Sequence, residues 1–325
     1  MKRSGAKKDK TELLAEARAF NQRISQRRAA GFIPDLRRAV KCGYFYKSFW
    51  RDPHFVKLYL GSNVDIYLKW LKKYGGTNSK ILDVGCGAGY ISLELARAGY
   101  QVTGIDIAEQ AIKAARETLA ANPFKKNFGS LQYKVTTLEK VSGSYDAVLF
   151  SGVLHHLNQV NAVLRKSIQL LKPGGLLLSS EPLHDQWRLE DAAQVALIRG
   201  LLSLTGCWHE KSLGDFLAKS EKNIFQYVKD VHLEYVTERD KEEKGGQSPY
   251  DNSTAGTVIL KSLRQNFRQL EYQNGPAFIY RLLGGLRGPD KKTHQLADFI
   301  AFYEKLAVRK GYLRPNGFFF VGRKK

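Results

Sequence analysis

The run Ile81-Leu-Asp-Val-Gly-Cys-Gly-Ala-Gly-Tyr90 limits the fold of this chain more than any other stretch, because an apolar strand signature passes straight into three alternate glycines and then a helical pattern. Ile81, Leu82 and Val84 supply the near-continuous apolar character of a parallel strand buried on both faces. Gly85, Gly87 and Gly89 remove three Cβ atoms from the turn, so the backbone can approach a ligand closely. From Tyr90 to Ala98 the apolar positions Ile91, Leu93, Leu95 and Ala96 read as a helix whose first amides point at the same place. A second apolar strand, Val102-Thr-Gly-Ile105, ends on Asp106, and an acidic side chain there suits the two hydroxyls of a ribose.

The glycine spacing is G-x-G-x-G after Asp83, not the G-x-G-x-x-G of a dinucleotide site. Strands are expected at about 80–84, 101–105, 131–136, 145–150 and 175–180, alternating with helices, with Leu171-Lys-Pro-Gly-Gly175 closing one helix ahead of the last of these. Such alternation predicts a parallel sheet with helices on both faces and a ligand beyond the carboxyl ends of the strands. Ahead of this core, residues 1 to about 11 read as a lysine-rich disordered tail, and Thr11 to about Trp70 as helical with a break at Gly31-Phe-Ile-Pro34. The aromatic stretch Tyr44-Phe-Tyr-Lys-Ser-Phe-Trp50 reads either as a lid or as the face that docks these helices on the core. Behind the core, helical insertions flank a charged loop over 238–254, a helix to about Asn266 and a strand near Phe267 to Tyr272.

The segments Leu82-Asp-Val-Gly-Cys-Gly-Ala-Gly89, Gly104-Ile-Asp-Ile107, Tyr145-Asp-Ala-Val148, Val153-Leu-His-His-Leu157 and Leu171-Lys-Pro-Gly-Gly175 stand in an order and spacing that resembles the class I S-adenosylmethionine-dependent methyltransferases of small-molecule type. The resemblance covers roughly 78–182, and Arg314 to Arg323 resembles the family's closing strand. It implies an α/β, Rossmann-like doubly wound, mainly parallel seven-stranded sheet with an antiparallel last strand. The division it suggests is a basic N-terminal helical extension over 1–77 and a methyltransferase domain over 78–325, with helical insertions at about 183–240 and 281–312. The cofactor it implies is S-adenosyl-L-methionine. Asp106 would then accept from the ribose hydroxyls, and Asp83 would order the glycine loop and face the methionine amino group. Gly85, Gly87 and Ser151 would line the methionine moiety, with Cys86 and Gly89 in the same turn, and Ile107 would cover the adenine. Many members carry an acidic residue where this chain has Thr137 followed by Leu138, so the adenine contact falls to Thr137 or slips to Glu139.

Methyl transfer from a sulfonium by in-line displacement asks a protein for orientation, exclusion of water and, where needed, a proton acceptor. His155 and His156 stand just past the strand expected to deliver the acceptor, with Glu181 and His184 as alternatives at the same sheet edge. A polar group in the charged loop, Gln247, Ser248, Tyr250, Asp251 and Asn252, suggests a lid over the substrate. Cys42, Cys86 and Cys207 are scattered without metal-ligand spacing, so no metal and no disulfide framework is expected.

Charge bears on partners. The net charge is +21; residues 1–60 hold fifteen Lys/Arg against five Asp/Glu, and residues 281–325 eleven against three. Basic ends favour an anionic partner, either an anionic, lipid-linked or sugar-linked small molecule or RNA. The exit Ser151-Gly-Val-Leu-His-His lacks the Asp/Asn-Pro-Pro-aromatic sequence by which amine-methylating nucleobase enzymes grip a flipped base, and no cysteine lies near 151 or 181 to attack a pyrimidine. A small-molecule acceptor methylated on oxygen is therefore the first expectation and RNA the alternative. No run of 18 apolar residues occurs, and the basic N-terminus lacks an apolar stretch with a cleavage site, so the expected location is cytoplasmic.

Overall fold

Seven strands form one sheet in the order β3-β2-β1-β4-β5-β7-β6 in the computed structural model, which describes residues 3–42, 48–237 and 252–325. In chain order the elements begin with α1 (Arg3–Ala29), α2 (Pro53–Val56) and α3 (Ser62–Tyr74). The alternating core follows as β1 (Lys80–Val84), α4 (Tyr90–Arg97), β2 (Gln101–Asp106), α5 (Glu109–Ala120), β3 (Ser130–Val135), β4 (Tyr145–Ser151), α6 (Val160–Leu170) and β5 (Leu171–Pro182). Three helices are then inserted, α7 (Leu189–Leu204), α8 (Leu213–Ala218) and α9 (Glu221–Thr237). The chain closes with α10 (Gly256–Asn266), β6 (Phe267–Asn274), α11 (Ile279–Leu282), α12 (Asp290–Lys310) and β7 (Gly317–Lys324).

The strands alternate their side chains between two faces, and the core clusters separate accordingly. Leu82, Val84, Val148, Phe150, Leu177, Phe318 and Phe320 pack with Leu164 of α6 and Ile259 and Leu263 of α10. Ile81, Ala147, Leu149, Leu178, Phe319 and Val321 pack on the other face with Val64, Tyr67 and Trp70 of α3 and Leu95 of α4. Pairing is parallel from β3 through β5, whereas β7 runs antiparallel to both β5 and β6, so the expected antiparallel last strand is present. The inserted helices and α12 build a separate core of their own around Trp208, Tyr235, Phe278 and Leu282. Glu271 of β6 locks α3 to the sheet by accepting from Trp70 Nε1 at 2.7 Å and Tyr74 Oη at 2.6 Å. Lys73 and Tyr74 hold its carboxyl down at about 2.

Two local expectations need correction. α1 begins at Arg3 and takes in most of the lysine-rich tail expected to be disordered; Ala and Lys are good helix formers, and the Thr11 start is one residue type outweighed by its surroundings. β5 begins at Leu171, so Pro173-Gly174-Gly175 lies inside a strand with a register shift against β4 and does not end α6, which stops at Leu170. No described helix is long and apolar enough to cross a membrane.

Candidate functional site

β1 pairs with β2 on one side and β4 on the other, so the chain reverses its direction of winding at β1 and leaves a crevice beyond the carboxyl ends of these strands. A cavity of about 790 Å³ occupies it. Its floor comprises Asp83 to Ala88, Ile105 to Ala108, Thr136 to Lys140 and Ser151 to Val153. Two glycines of the turn show why the triad is there. Gly89 has φ of +83°, and a Cβ on it would overlap the ring of Tyr133, whose hydroxyl donates to the Gly89 carbonyl at 2.9 Å. Gly87, at φ +52°, lines the cavity, and a Cβ there would meet no protein atom within 4 Å.

Asp106 ties the two loops of the floor together. Its carboxylate accepts from Gly87 N at 2.8 Å and Ala108 N at 2.7 Å, which fixes the glycine loop against the end of β2. Burial nevertheless holds its carboxyl above the ordinary range. Asp83 is 1% exposed and accepts from Ser92 Oγ at 2.6 Å. Burial, opposed by that bond and reinforced by the nearby charge of Asp106, lifts its carboxyl to about 7. Two acids pushed upward beside one cavity are arranged to meet hydroxyl or cationic groups. Behind Ser151, the Tyr67 hydroxyl lies 3.0 Å from Ser151 Oγ and 2.7 Å from Ser180 Oγ, fixing the end of β4 against β5.

The cavity has a roof from outside the sheet. Leu13, Glu16, Phe20, Ile24 and Arg27 of α1 line it at a spacing of three and four residues, the stripe that one helix face presents, together with Phe32 and Trp50. α1 is held there by Gln110 N donating to Asn21 Oδ1 at 2.9 Å and by an Arg28–Glu117 ion pair, both to α5. The segment after α1 is anchored by Asp35, which accepts from both terminal nitrogens of buried Arg97 at 2.7 and 2.8 Å.

The expected residues divide by position. Asp83, Gly85, Cys86, Gly87, Asp106, Ile107, Thr137, Leu138, Ser151 and His156 line the cavity, as does Glu139. Gly89 sits one step behind the wall, shaping it through Tyr133. Glu181 and His155 also lie behind the wall. Glu181 is 3% exposed and accepts from Val153 N at 3.1 Å, Leu154 N at 2.9 Å and His155 N at 3.3 Å, with His155 Nδ1 at 2.8 Å. It therefore staples the loop that carries His156. His184 is buried, its ring 6.5 Å from that of His155, and is absent from the cavity lining. Of the polar loop, Gln247, Ser248, Tyr250 and Asp251 lie outside the described residues, as does 43–47 of the aromatic stretch. Asn252 donates to Val236 O at 3.1 Å, and Thr254 binds the histidine segment through N to His155 O at 3.1 Å and Oγ1 to Leu157 O at 2.6 Å. Glu16, Phe20 and Arg27 went unnoticed in the sequence, although the Leu13, Glu16, Phe20, Ile24, Arg27 stripe is readable there once α1 is known to lie over the sheet. Among the described residues no cluster of His, Cys, Asp and Glu is placed to hold a metal ion.

Residues 82–177 match the model of the methyltransferase domain. The chain is similar to the ubiquinone biosynthesis O-methyltransferase of Bordetella avium, 34% identical over 133 residues that make up 40% of this chain and 55% of that protein. The protein of the same name from Methylocella silvestris is 40% identical over 104 residues, 31% of this chain and 39% of its own length. The chain thus spans about half the length, or less, of the curated relatives it matches. The crystal structure of the [4+2]-cyclase SpnF aligns over 96% of this chain and 95% of that one with a TM-score of 0.50 at 14% identity, a likeness of fold alone. With the glycine turn, Asp106 and the sheet order on the same segment, residues 82–177 are a methyltransferase domain of the class I, S-adenosylmethionine-dependent family.

Proposed function

We propose that this protein transfers a methyl group from S-adenosylmethionine to an oxygen of a small-molecule acceptor. The observation that carries the reading is the open side of Gly87 facing a cavity floored by Asp83 and Asp106. The residues present fit the cofactor. Asp106 uses its carboxylate toward Gly87 and Ala108 and keeps lone pairs for a ribose diol, since each oxygen can accept more than one bond. Asp83, held near 7 by burial, gains a partner if an ammonium group is placed beside it and then ionises fully. Ile107, Leu138 and Ala108 offer an apolar slot for a flat base, with Thr137 at its edge as acceptor. When bound, the cofactor supplies an electrophilic methyl carbon on a sulfonium.

This chain's residues orient the partners, keep water out and receive the proton. The roof of Leu13, Phe20, Ile24, Phe32 and Trp50 is apolar, and a displacement gains from a dry site. No acidic side chain is needed at the reacting sulfur, because its positive charge is lost during transfer; the acids are used on ribose and amino group instead. His156 is the proton acceptor in this reading, and Glu181 with His155 holds its loop. The names of the relatives support oxygen as the methylated atom. We place the N-terminal extension over 1–77 as the lid of the domain over 78–325, and we assign the basic ends to attraction of an anionic, lipid-linked or sugar-linked acceptor.

The test is incorporation of tritiated methyl from S-adenosylmethionine into fractions of a cell extract. Label is expected in organic or water-soluble small molecules, and binding to total RNA is expected to collapse across a salt series, as binding by charge alone does. Salt-resistant RNA binding with label in one RNA species would reverse the assignment.

A further inference from the structure

Two neighbouring helices outside the matched segment carry apolar side chains on their outward sides as well as their inward ones. α12 buries Ala297, Ile300, Ala301 and Ala307 in the core around Trp208 and Tyr235, yet Phe299, Phe302 and Tyr303, spaced three and four residues apart, share its outward side. α7 repeats the pattern: Val195, Ala196 and Leu202 are buried, while Leu197 and Leu201 face outward on the side of Gln194. Gln194 joins the two helices, its Oε1 accepting from Tyr303 Oη at 3.1 Å and its Nε2 donating to the Tyr312 carbonyl at 2.9 Å. Leu197, Leu201, Phe299, Phe302 and Tyr312 are 55–69% exposed. Single exposed apolar side chains are ordinary, but a set gathered on two adjoining helices marks an interaction surface. Its rim is basic. Lys291, Lys292, Lys305, Arg309, Lys310 and Arg314 are all exposed along α12 or just after it. Of the acids in the same stretch, Asp290 pairs with Lys41 and Asp298 lies 2.7 Å from His54 Nε2. Glu304 is buried and accepts from the backbone amides of Ala277, Phe278 and Ile279.

We propose that this face docks on the surface of an anionic phospholipid bilayer. Phe299, Phe302 and Leu197 enter the boundary between headgroups and acyl chains, while the Lys and Arg stems lie along the apolar patch and carry their charges to the phosphates. Charge selects the occupant. A closed twofold contact pairs a patch with its own copy, so a second copy of this chain would set the six cations of the rim against themselves. An anionic membrane surface attracts all six, and the attraction of each basic side chain near such a surface adds to that of the others. The Tyr312 end of the face is held at the carboxyl edge of the sheet, where Arg314 N donates to Asp191 Oδ1 at 3.0 Å and Gly317 of β7 pairs with Pro182 of β5. The cavity lies beyond that same edge. The docking rests on the patch and its rim, and it stands or falls apart from the methyltransferase reading.

The experiment co-sediments the full chain, at physiological salt, with vesicles of phosphatidylcholine alone and of phosphatidylcholine mixed with phosphatidylglycerol. Wild type is compared with Phe299→Gln/Phe302→Gln and with Lys305→Glu/Lys310→Glu. The control is Lys125→Glu/Lys126→Glu, which makes the same change of charge at exposed positions before β3, at the amino edge of the sheet. Wild type is expected to bind the anionic vesicles at least tenfold more tightly than the neutral ones, both face variants to lose at least about tenfold, and the control less than about threefold. No binding of the wild type to anionic vesicles, or equal binding to both kinds, overturns the proposal. So does full binding by the Phe299/Phe302 variant, or an equal loss in the two lysine variants, since either result assigns the attraction to net charge and not to this face. Sedimentation velocity without vesicles reads the other occupant: a wild-type dimer that the Phe299/Phe302 variant separates assigns the face to a second copy and overturns the proposal.

Discussion

Substituting Glu181 removes the staple of the histidine loop without touching the cavity wall. Its carboxylate serves three backbone amides, Val153, Leu154 and His155, and faces His155 Nδ1, all within a region closed to water. Glu181→Gln keeps an oxygen for Val153 and Leu154 but turns an amide NH₂ toward the other two. His155 can switch tautomer and accept from that NH₂, so one backbone amide is left unpaired and one charge-assisted bond is lost. At about 1–3 kcal/mol for a buried unsatisfied donor, the expected loss is about 2–3 kcal/mol. Glu181→Ala strips all four donors of their partner, and breaking a buried charged partnership costs about 3–5 kcal/mol. Urea unfolding at pH 7 measures both, and S-adenosylhomocysteine calorimetry reads the second consequence, since Val153 of the stapled loop packs against Gly85. Affinity should fall at least tenfold in the alanine variant. Losses below about 1 kcal/mol in both variants, or equal losses in the two, would refute the assignment of Glu181 as a staple.

Three further outcomes follow from the same structure. Asp35→Ala leaves buried Arg97 with Glu94 and Asn122 alone, and should cost roughly 3 kcal/mol in urea unfolding while loosening the segment after α1; a loss under about 1 kcal/mol would show that this anchor carries little. Asp83 and Glu304 are buried carboxyls raised to about 7, so the folded state binds their protons more tightly than the unfolded state does; their contribution to stability is whole below about pH 4, is lost as pH rises toward 7 and levels off above it, and the decline between pH 5 and 7 should be about 1–3 kcal/mol for each group; a flat profile between pH 5 and 7, or one unaltered by Glu304→Gln, would contradict this. Hydrogen exchange with saturating S-adenosylhomocysteine should slow amide exchange in α1, which roofs the cavity, and equal exchange in both states would remove the lid role.

The sheet could be read from the sequence because its strands are buried on both faces and each declares itself locally, as Ile81 to Val84 and Ala147 to Phe150 do. The cavity floor was legible for a related reason: Gly85, Gly87, Asp106 and Ser151 lie at strand ends, where topology alone brings them together. The roof was not, because α1 meets the cavity through contacts more than a hundred residues apart in the chain, such as Glu16 with His156, and a polar residue on a helix signals no partner by itself. The division of labour between the adjacent histidines was hidden too. His155 turns inward to Glu181 and His156 turns to the cavity, a choice made by the short 3₁₀ turn Leu154–His156 and its carboxylate staple. Pro173-Gly174-Gly175 misled as a helix stop because β5, at an interior position, absorbs it through a register shift.

In the proposed function the cavity beyond β1, β2 and β4 binds S-adenosylmethionine through Asp106. Isothermal titration of the full chain with S-adenosylhomocysteine, wild type against Asp106→Ala, tests it most directly. One site per chain is expected in the wild type and a loss of about a hundredfold or more in the variant, since a buried carboxylate bonding two hydroxyls contributes about 1.5–3 kcal/mol per charged hydrogen bond. No binding in the wild type, or equal affinity in the two proteins, would contradict it.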